Sequence, residues 1–287
     1  MTELDLEQQR AQLWHTGGSA VRTLEDARSF LEAVGFCVDY PERSLPLVPS
    51  FIGAFSGSAA GLPDAKHAFA DPRAAQATEL MVRLLRERSA FEMRFSGDTN
   101  LIISAASFPF FYALVGDRTP KAPPRTKAQG AAVSELATQV FAALQQHGPL
   151  SKGQLQEHVG RESSLAALDR ALGELWSILK ITRVDYSTGA GASWDVLYRW
   201  APEAVKEGIN ISWPEAISAL VSKYLETVIA AELDDIEQFF SRLTSRSRVR
   251  EAVNALLQAR ELSYVTIGSK ALIRMTPPEQ RRSRVHG

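Results

Sequence analysis

The chain has 287 residues, 45% of them apolar and 23% charged, with a formal net charge of −1. This length and balance describe a globular chain with more than one core and exclude a disordered or fibrous one. No apolar run reaches the roughly 18 residues of a membrane span, and the first twenty residues carry Glu3, Asp5 and Glu7 but no secretory core.

Cys37 is the only cysteine, which excludes an internal disulfide and a cysteine zinc site. A reducing, cytoplasmic setting is expected. Charge is unevenly spread. Residues 1–117 hold 10 Lys/Arg against 15 Asp/Glu, whereas residues 118–287 hold 22 against 18. The second half is therefore basic and the first acidic, an asymmetry that bears on partner choice.

Taken in chain order, residues 24–34 have helical apolar spacing (Ala27, Phe30, Leu31, Val34) and end at Gly35, a good C-terminal cap. Cys37 and Asp39 follow in an apolar stretch. Cys37 reads as a core residue or a nucleophile. Asp39 reads either as a turn residue before Pro41 or as a water-activating base. Residues 41–72 are irregular. Residues 72–88 form a second helix, and 91–95 with 101–104 flank Gly97-Asp98-Thr99-Asn100 as a β-hairpin. Phe108-Pro109-Phe110-Phe111-Tyr112 begins a short buried helix. Three prolines within residues 118–127 mark a linker or extended crossing segment.

Beyond it the pattern repeats. Val140, Leu144, Leu155, Leu168, Leu175 and Ile181 each have an apolar counterpart 81 positions later, at Val221, Leu225, Ile236, Val249, Leu256 and Leu262. One constant offset across three predicted helices indicates a duplicated unit. Each copy reads as three helices, a strand, a Gly/Ser loop and a return strand, the first return strand being placed at 194–200. That order is the winged-helix variant of the helix-turn-helix. The expected fold is α+β and mainly helical, with an α/β first domain (1–127) and tandem winged-helix units at 128–207 and 208–287.

In a helix-turn-helix the third helix meets base edges at its N-terminal end. The first copy has one basic residue there, Arg170. The second reads Thr244-Ser245-Arg246-Ser247-Arg248-Val249-Arg250, with Lys270 at its wing. Ser245, Arg246, Arg248, Arg250 and Lys270 are the expected nucleic-acid contacts, because arginine's fork of donors suits phosphates and guanine edges. Arg281, Arg282 and Arg284 form a basic tail. The five histidines are scattered, and no phosphate-loop, zinc-protease or serine-hydrolase motif occurs. No cofactor and no metal are expected.

Several segments together resemble the AlkZ/YcaQ-like family of winged-helix DNA glycosylases, which remove alkylated or crosslinked bases. They are Gly148-Pro149-Leu150-Ser151 with Leu155, Tyr198-x-Trp200-Ala201-Pro202, Ala219-Leu220-x-x-Lys223-Tyr224-Leu225, and the run from Arg86 to Glu92. The resemblance implies binding of double-stranded DNA and repair chemistry on a flipped base. The family's catalytic element carries Gln, an apolar residue, then Gln or Asp. Here Asp39 falls on the second position and Cys37 on the first, with the spacing from Gly35 one residue shorter. The family's additional C-terminal β domain is not expected. Base excision is therefore left open, beside two other readings: a winged-helix transcription regulator, which predicts a dimer and a preferred sequence, and a protein-interaction module without DNA binding.

Overall fold

A computed structural model describes residues 2–125, 133–187, 189 and 191–278. Arg281, Arg282, Arg284 and His286 lie outside the described residues, as do the last two positions of the proline-rich segment. The architecture is mixed α/β and about half helical.

The chain opens with α1 (Glu3–Leu13), capped by a reciprocal pair between Thr2 and Asp5. Only Leu6 of this helix is buried, so no apolar stripe marks it in the sequence. It is held by side chains instead. Arg10 donates to the Val228 and Ala230 carbonyls at 2.8 and 2.6 Å, and the Trp14 indole to Thr227 O at 2.8 Å.

Helix α2 (Leu24–Val34) starts at a second capping box, Thr23 with Asp26, and stops at Gly35, whose φ of 76° suits a residue without Cβ. There follow β1 (Phe36–Val38), α3 (Phe51–Ser56), α4 (Pro72–Arg86), the hairpin β2 (Ala90–Ser96) and β3 (Thr99–Ser104), and α5 (Phe108–Val115). The strands form an antiparallel sheet in the order β1-β3-β2, with Cys37 opposite Ile102 and Glu92 opposite Ile102 from the other side. Side chains alternate across a strand. One face therefore sends Phe36, Val38, Phe91, Met93, Leu101 and Ile103 into the main core. The other sends Cys37, Ala90 and Ile102 against α2 and α4.

The second half holds α6 (Glu135–His147), β4 (Leu150–Ser151), α7 (Lys152–Val159), α8 (Leu165–Ser177), β5 (Ile181–Ser187), β6 (Gly191–Val196), α9 (Leu197–Trp200) and α10 (Pro202–Asn210). It continues with α11 (Trp213–Val228), α12 (Leu233–Phe240), α13 (Arg246–Gln258), β7 (Leu262–Ile267) and β8 (Lys270–Met275). The 81-residue offset is visible in the backbone. Adding it to the bounds of α7 and α8 returns those of α12 and α13. Leu179 and Arg260, 81 apart, both occupy the left-handed region, at φ 53° and 61°, where helix turns into strand. The same backbone hydrogen bonds, Lys180 N to Leu175 O and Glu261 N to Leu256 O, close both turns.

Three sequence expectations need correction. Residues 41–72, expected to be irregular, contain α3, whose first turn is capped by Ser50 accepting from Gly53 N at 3.2 Å. The first return strand covers 191–196, not 194–200. Its pairing with β5 ends at Val196 opposite Ile181, and the chain then winds into α9, with Ala201 N bonded to Leu197 O and the Arg199 side chain bonded to Asp195 one turn back. Helix α10, started by Pro202, is an element the duplicated pattern does not contain.

The first copy encloses its own core, including Phe141, Leu168, Leu175 and Trp194. The second does not. Tyr224, Phe239, Val249 and Leu256 share one core with Phe36, Phe91 and Phe111 of the N-terminal sheet and α5, and the Phe36 and Phe239 rings stack at 5.5 Å. The proline-rich segment is tied down by the buried Lys180, whose ammonium donates to Thr119 O and Ala122 O at 2.7 and 2.6 Å and meets Asp117 at 2.8 Å. No helix among the described residues is long and apolar enough to cross a membrane.

Candidate active site and nucleic-acid interface

Asp39 leaves the end of β1 on the same side as Cys37, two residues earlier. Its backbone is fixed on both sides: its N–H donates to Asn100 O at 3.0 Å, and its carbonyl accepts from Ile52 N at 3.2 Å. The carboxylate accepts from Tyr40 N at 2.8 Å, Asn100 N at 3.1 Å and Asn100 Nδ2 at 3.1 Å. It lines a cavity of about 200 Å³. Phe51, Ile52 and Met81 give the cavity an apolar side, and Tyr40, Thr78 and Arg183 a polar one.

Behind Asp39 lies a buried ion pair. Glu92, in the middle of β2, is 1% exposed. Arg183, from β5 of the first repeat, grips it with both arms of its guanidinium, at 2.8 and 2.5 Å. Trp176 adds its indole N–H to Glu92 O at 2.8 Å. The local electrostatics follow. Burial, and then the negative charge of Glu92, push the Asp39 carboxyl up from 3.8 to about 7, against the pull of the two backbone N–H groups and Arg183. A carboxyl titrating near neutrality inside a cavity matches what general-base chemistry requires.

Cys37 has no such opening. It is 0% exposed, and burial followed by the nearby Asp39 charge holds its thiol well above the ordinary range. A buried neutral thiol is neither nucleophile nor metal ligand, which leaves the core-packing reading of Cys37. A thiol-specific reagent is expected to leave the native protein unmodified and to label one thiol per chain after denaturation. Stoichiometric labelling of the folded protein within minutes would contradict that burial.

The second repeat's cations, Arg246, Arg248 and Arg250 in the first turns of α13 and Lys270 at the start of β8, are already occupied. Arg246 donates to Asp234 at 3.1 Å. Arg250 makes a two-armed contact with the buried Glu237 at 2.6 and 3.0 Å. Lys270 reaches Glu232 at 2.6 Å. Arg248 lies over the Trp213 ring at 4.9 Å, and the Ser245 and Ser247 hydroxyls face each other at 3.1 Å. The acidic partners all come from α12 or its N-cap, a feature the arginine count does not reveal. No group of histidines, cysteine and carboxylates suited to a metal ion occurs among the described residues.

Glu92, Asn100 and Arg183 are site residues that sequence reading passed over. Only Glu92 left a signal: a carboxylate alternating with Phe91 and Met93 must face the opposite side of the strand from both.

The family model described as "DNA glycosylase AlkZ-like" matches residues 61–284. Among solved structures the chain is similar to the Streptomyces sahachiroi DNA glycosylase AlkZ, with a TM-score of 0.60 and 13% identity, over 98% of this chain and 71% of that one. No curated protein sequence matches. The fold is thus that of a DNA-repair glycosylase-like protein. The chain belongs to the AlkZ-like DNA glycosylase family. Asp39 precedes the matched segment, so its role rests on the site geometry.

Proposed function

We propose that this protein binds duplex DNA through its two repeated units, each a winged-helix module, and hydrolyses the N-glycosidic bond of an alkylated base held in the Asp39 cavity. The observation that carries the reading is the ionisable Asp39 carboxyl, part-buried, lining a cavity and oriented by three donors. At about 200 Å³ the cavity is below the roughly 300–1,000 Å³ of drug-sized sites, a scale suited to one extruded base rather than a larger ligand.

In this reading ionised Asp39 takes a proton from water as the water oxygen bonds to C1′ of the sugar. The C1′–N bond breaks, and its electron pair leaves with the base. Alkylation at a ring nitrogen places a positive charge on the base, so that pair neutralises it and makes it a good leaving group. Tyr40 N, Asn100 N and Asn100 Nδ2 orient the carboxylate. Ser245, Arg246, Arg248, Arg250 and Lys270 serve as one set of DNA contacts. Arg246, Arg250 and Lys270 must first exchange a carboxylate for a phosphate, which keeps their net contribution small.

The test is release of free base from a duplex carrying an N7-alkylated purine, followed between pH 6 and 9. Release above the spontaneous rate is expected. The Cys37 side chain at the family's Gln position favours a second reading, DNA binding without excision. Salt-dependent duplex binding with no base release at any pH would select it over the first.

A further inference from the structure

The two copies of the repeat differ in a way their arginine counts conceal. On α13 the cations have intramolecular partners. In the first copy the single Arg170 of α8 does not: among the described residues its guanidinium has no hydrogen bond or ion pair. Arg242, just past α12, is equally unpaired. Both line one cleft of about 550 Å³, with Arg94 of β2 as a third cation. Among the described residues the carboxylate paired with Arg94 is the exposed Asp98, at 3.6 Å.

The carboxylates of this cleft do not cancel the arginines. Asp169 is taken by Lys152 at 2.5 Å. Glu174 turns away, accepting from both the backbone N–H and the hydroxyl of Ser134 at 2.8 and 2.6 Å. The wall between them is Gly173, inside α8. A glycine in a helix interior is destabilising relative to alanine. Here it leaves bare backbone beside the Arg94 side chain, whose Cδ would lie 3.7 Å from an added Cβ.

The position of the cleft adds to its charge. Its lip is Gly97, at the tip of the β2–β3 hairpin. The next residue, Asp98, lines the Asp39 cavity on the other side of that tip. A strand seated across the arginines is therefore one hairpin turn from the candidate base-excision site. Two unpaired guanidiniums and a third held only by an exposed 3.6 Å pair, spread over a hairpin, a helix and a helix end, suit a string of phosphates better than a single small anion.

We propose that Arg94, Arg170 and Arg242 form the principal phosphate-binding surface for the DNA backbone, ahead of the arginine-rich start of α13. This inference rests on the DNA-binding reading above. In it, α8 holds the strand while the hairpin tip separates backbone from cavity.

The test is the salt dependence of duplex binding, read by fluorescence anisotropy with an unmodified oligonucleotide. Each phosphate contact adds about 0.9 to the slope of log K against log salt. The triple variant Arg94→Gln, Arg170→Gln, Arg242→Gln is expected to reduce that slope by about 2–3. The matching triple to Lys keeps the charge and is expected to retain the slope, which separates charge loss from misfolding. Arg161→Gln, a change at an 84%-exposed arginine outside the cleft, is expected to leave the slope alone.

The triple Gln variant of Arg246, Arg248 and Arg250 is expected to shift the slope less. If the slope falls only in that variant, the cleft assignment is overturned while DNA binding stands. If the wild-type protein shows no salt-dependent affinity at all, the DNA-binding reading falls, and this inference with it.

Discussion

Asp39→Asn is expected to reduce base release by about 10²–10⁴-fold, the usual contribution of a positioned general base, while making the protein more stable above neutral pH. The activity arm follows from chemistry: the amide retains its acceptor oxygen but cannot take a proton from water. The wild-type rate should rise with pH as Asp39 ionises around its pKa of about 7 and level off above it.

The stability arm follows from linkage. The folded protein holds the Asp39 proton up to about pH 7, whereas the unfolded chain releases it near 3.8. Between those values the folded state binds more protons, so stability falls as pH rises, and the full loss is present above 7. A shift of that size corresponds to about 4 kcal/mol. The amide removes this loss. Asn100 Oδ1, buried without a partner, becomes an acceptor for the new amide N–H once the Asn100 side chain turns over. Melting curves at pH 5.5 and 8.5 read the effect. Equal stability of wild type and variant at pH 8.5 would show that Asp39 is not buried as described, and undiminished base release would remove it from the reaction.

Arg183→Met carries the second large effect, a loss of about 3–5 kcal/mol in folding stability. Methionine fills much of the arginine's volume, so the change tests charge rather than space. It strands Glu92, 1% exposed, with no counter-charge. Removing one partner of a buried pair costs this much because the remaining charge stays desolvated. The expected fall in melting temperature is about 10 °C. Adding Glu92→Gln should recover a good part of it, since an amide needs no counter-ion. Failure of the second change to recover stability would assign the loss to the packing of the guanidinium plane near Trp176, 6.0 Å from that ring, rather than to charge. Because Arg183 belongs to β5 and Glu92 to β2, this pair also fixes the first repeat against the sheet that carries Asp39.

Much of the architecture is legible in one dimension. Helix α2 shows in the spacing of Ala27, Phe30, Leu31 and Val34 and in its glycine stop. The hairpin shows in the break at Gly97-Asp98. The duplication shows because its apolar positions are counted along the chain, and the structure keeps that count in the bounds of α7, α8, α12 and α13. Helix α1 was not legible, because Arg10 and Trp14 hold it through backbone carbonyls more than 200 residues away.

The site divides along the same line. Asp39 stands out in sequence as a carboxylate in an apolar run, but its proton affinity does not. That is set by burial and by Glu92, whose partner Arg183 is 91 residues further on. The basic face divides likewise. Sequence ranks the second repeat first because Arg246, Arg248 and Arg250 are dense there. The fold gives Arg246 and Arg250 carboxylates from α12 and Arg248 the Trp213 ring, and leaves Arg170 and Arg242 unpaired across a cleft, which is the ground for proposing the cleft as the principal phosphate-binding surface. Sequence alone determined the repeat, the family and those local elements that carry an apolar stripe or a turn signal, since periodicity, caps and turns act over a few residues. Only the tertiary structure decided which charges are free and which carboxyl is poised, because desolvation and ion pairing depend on what lies nearby in space.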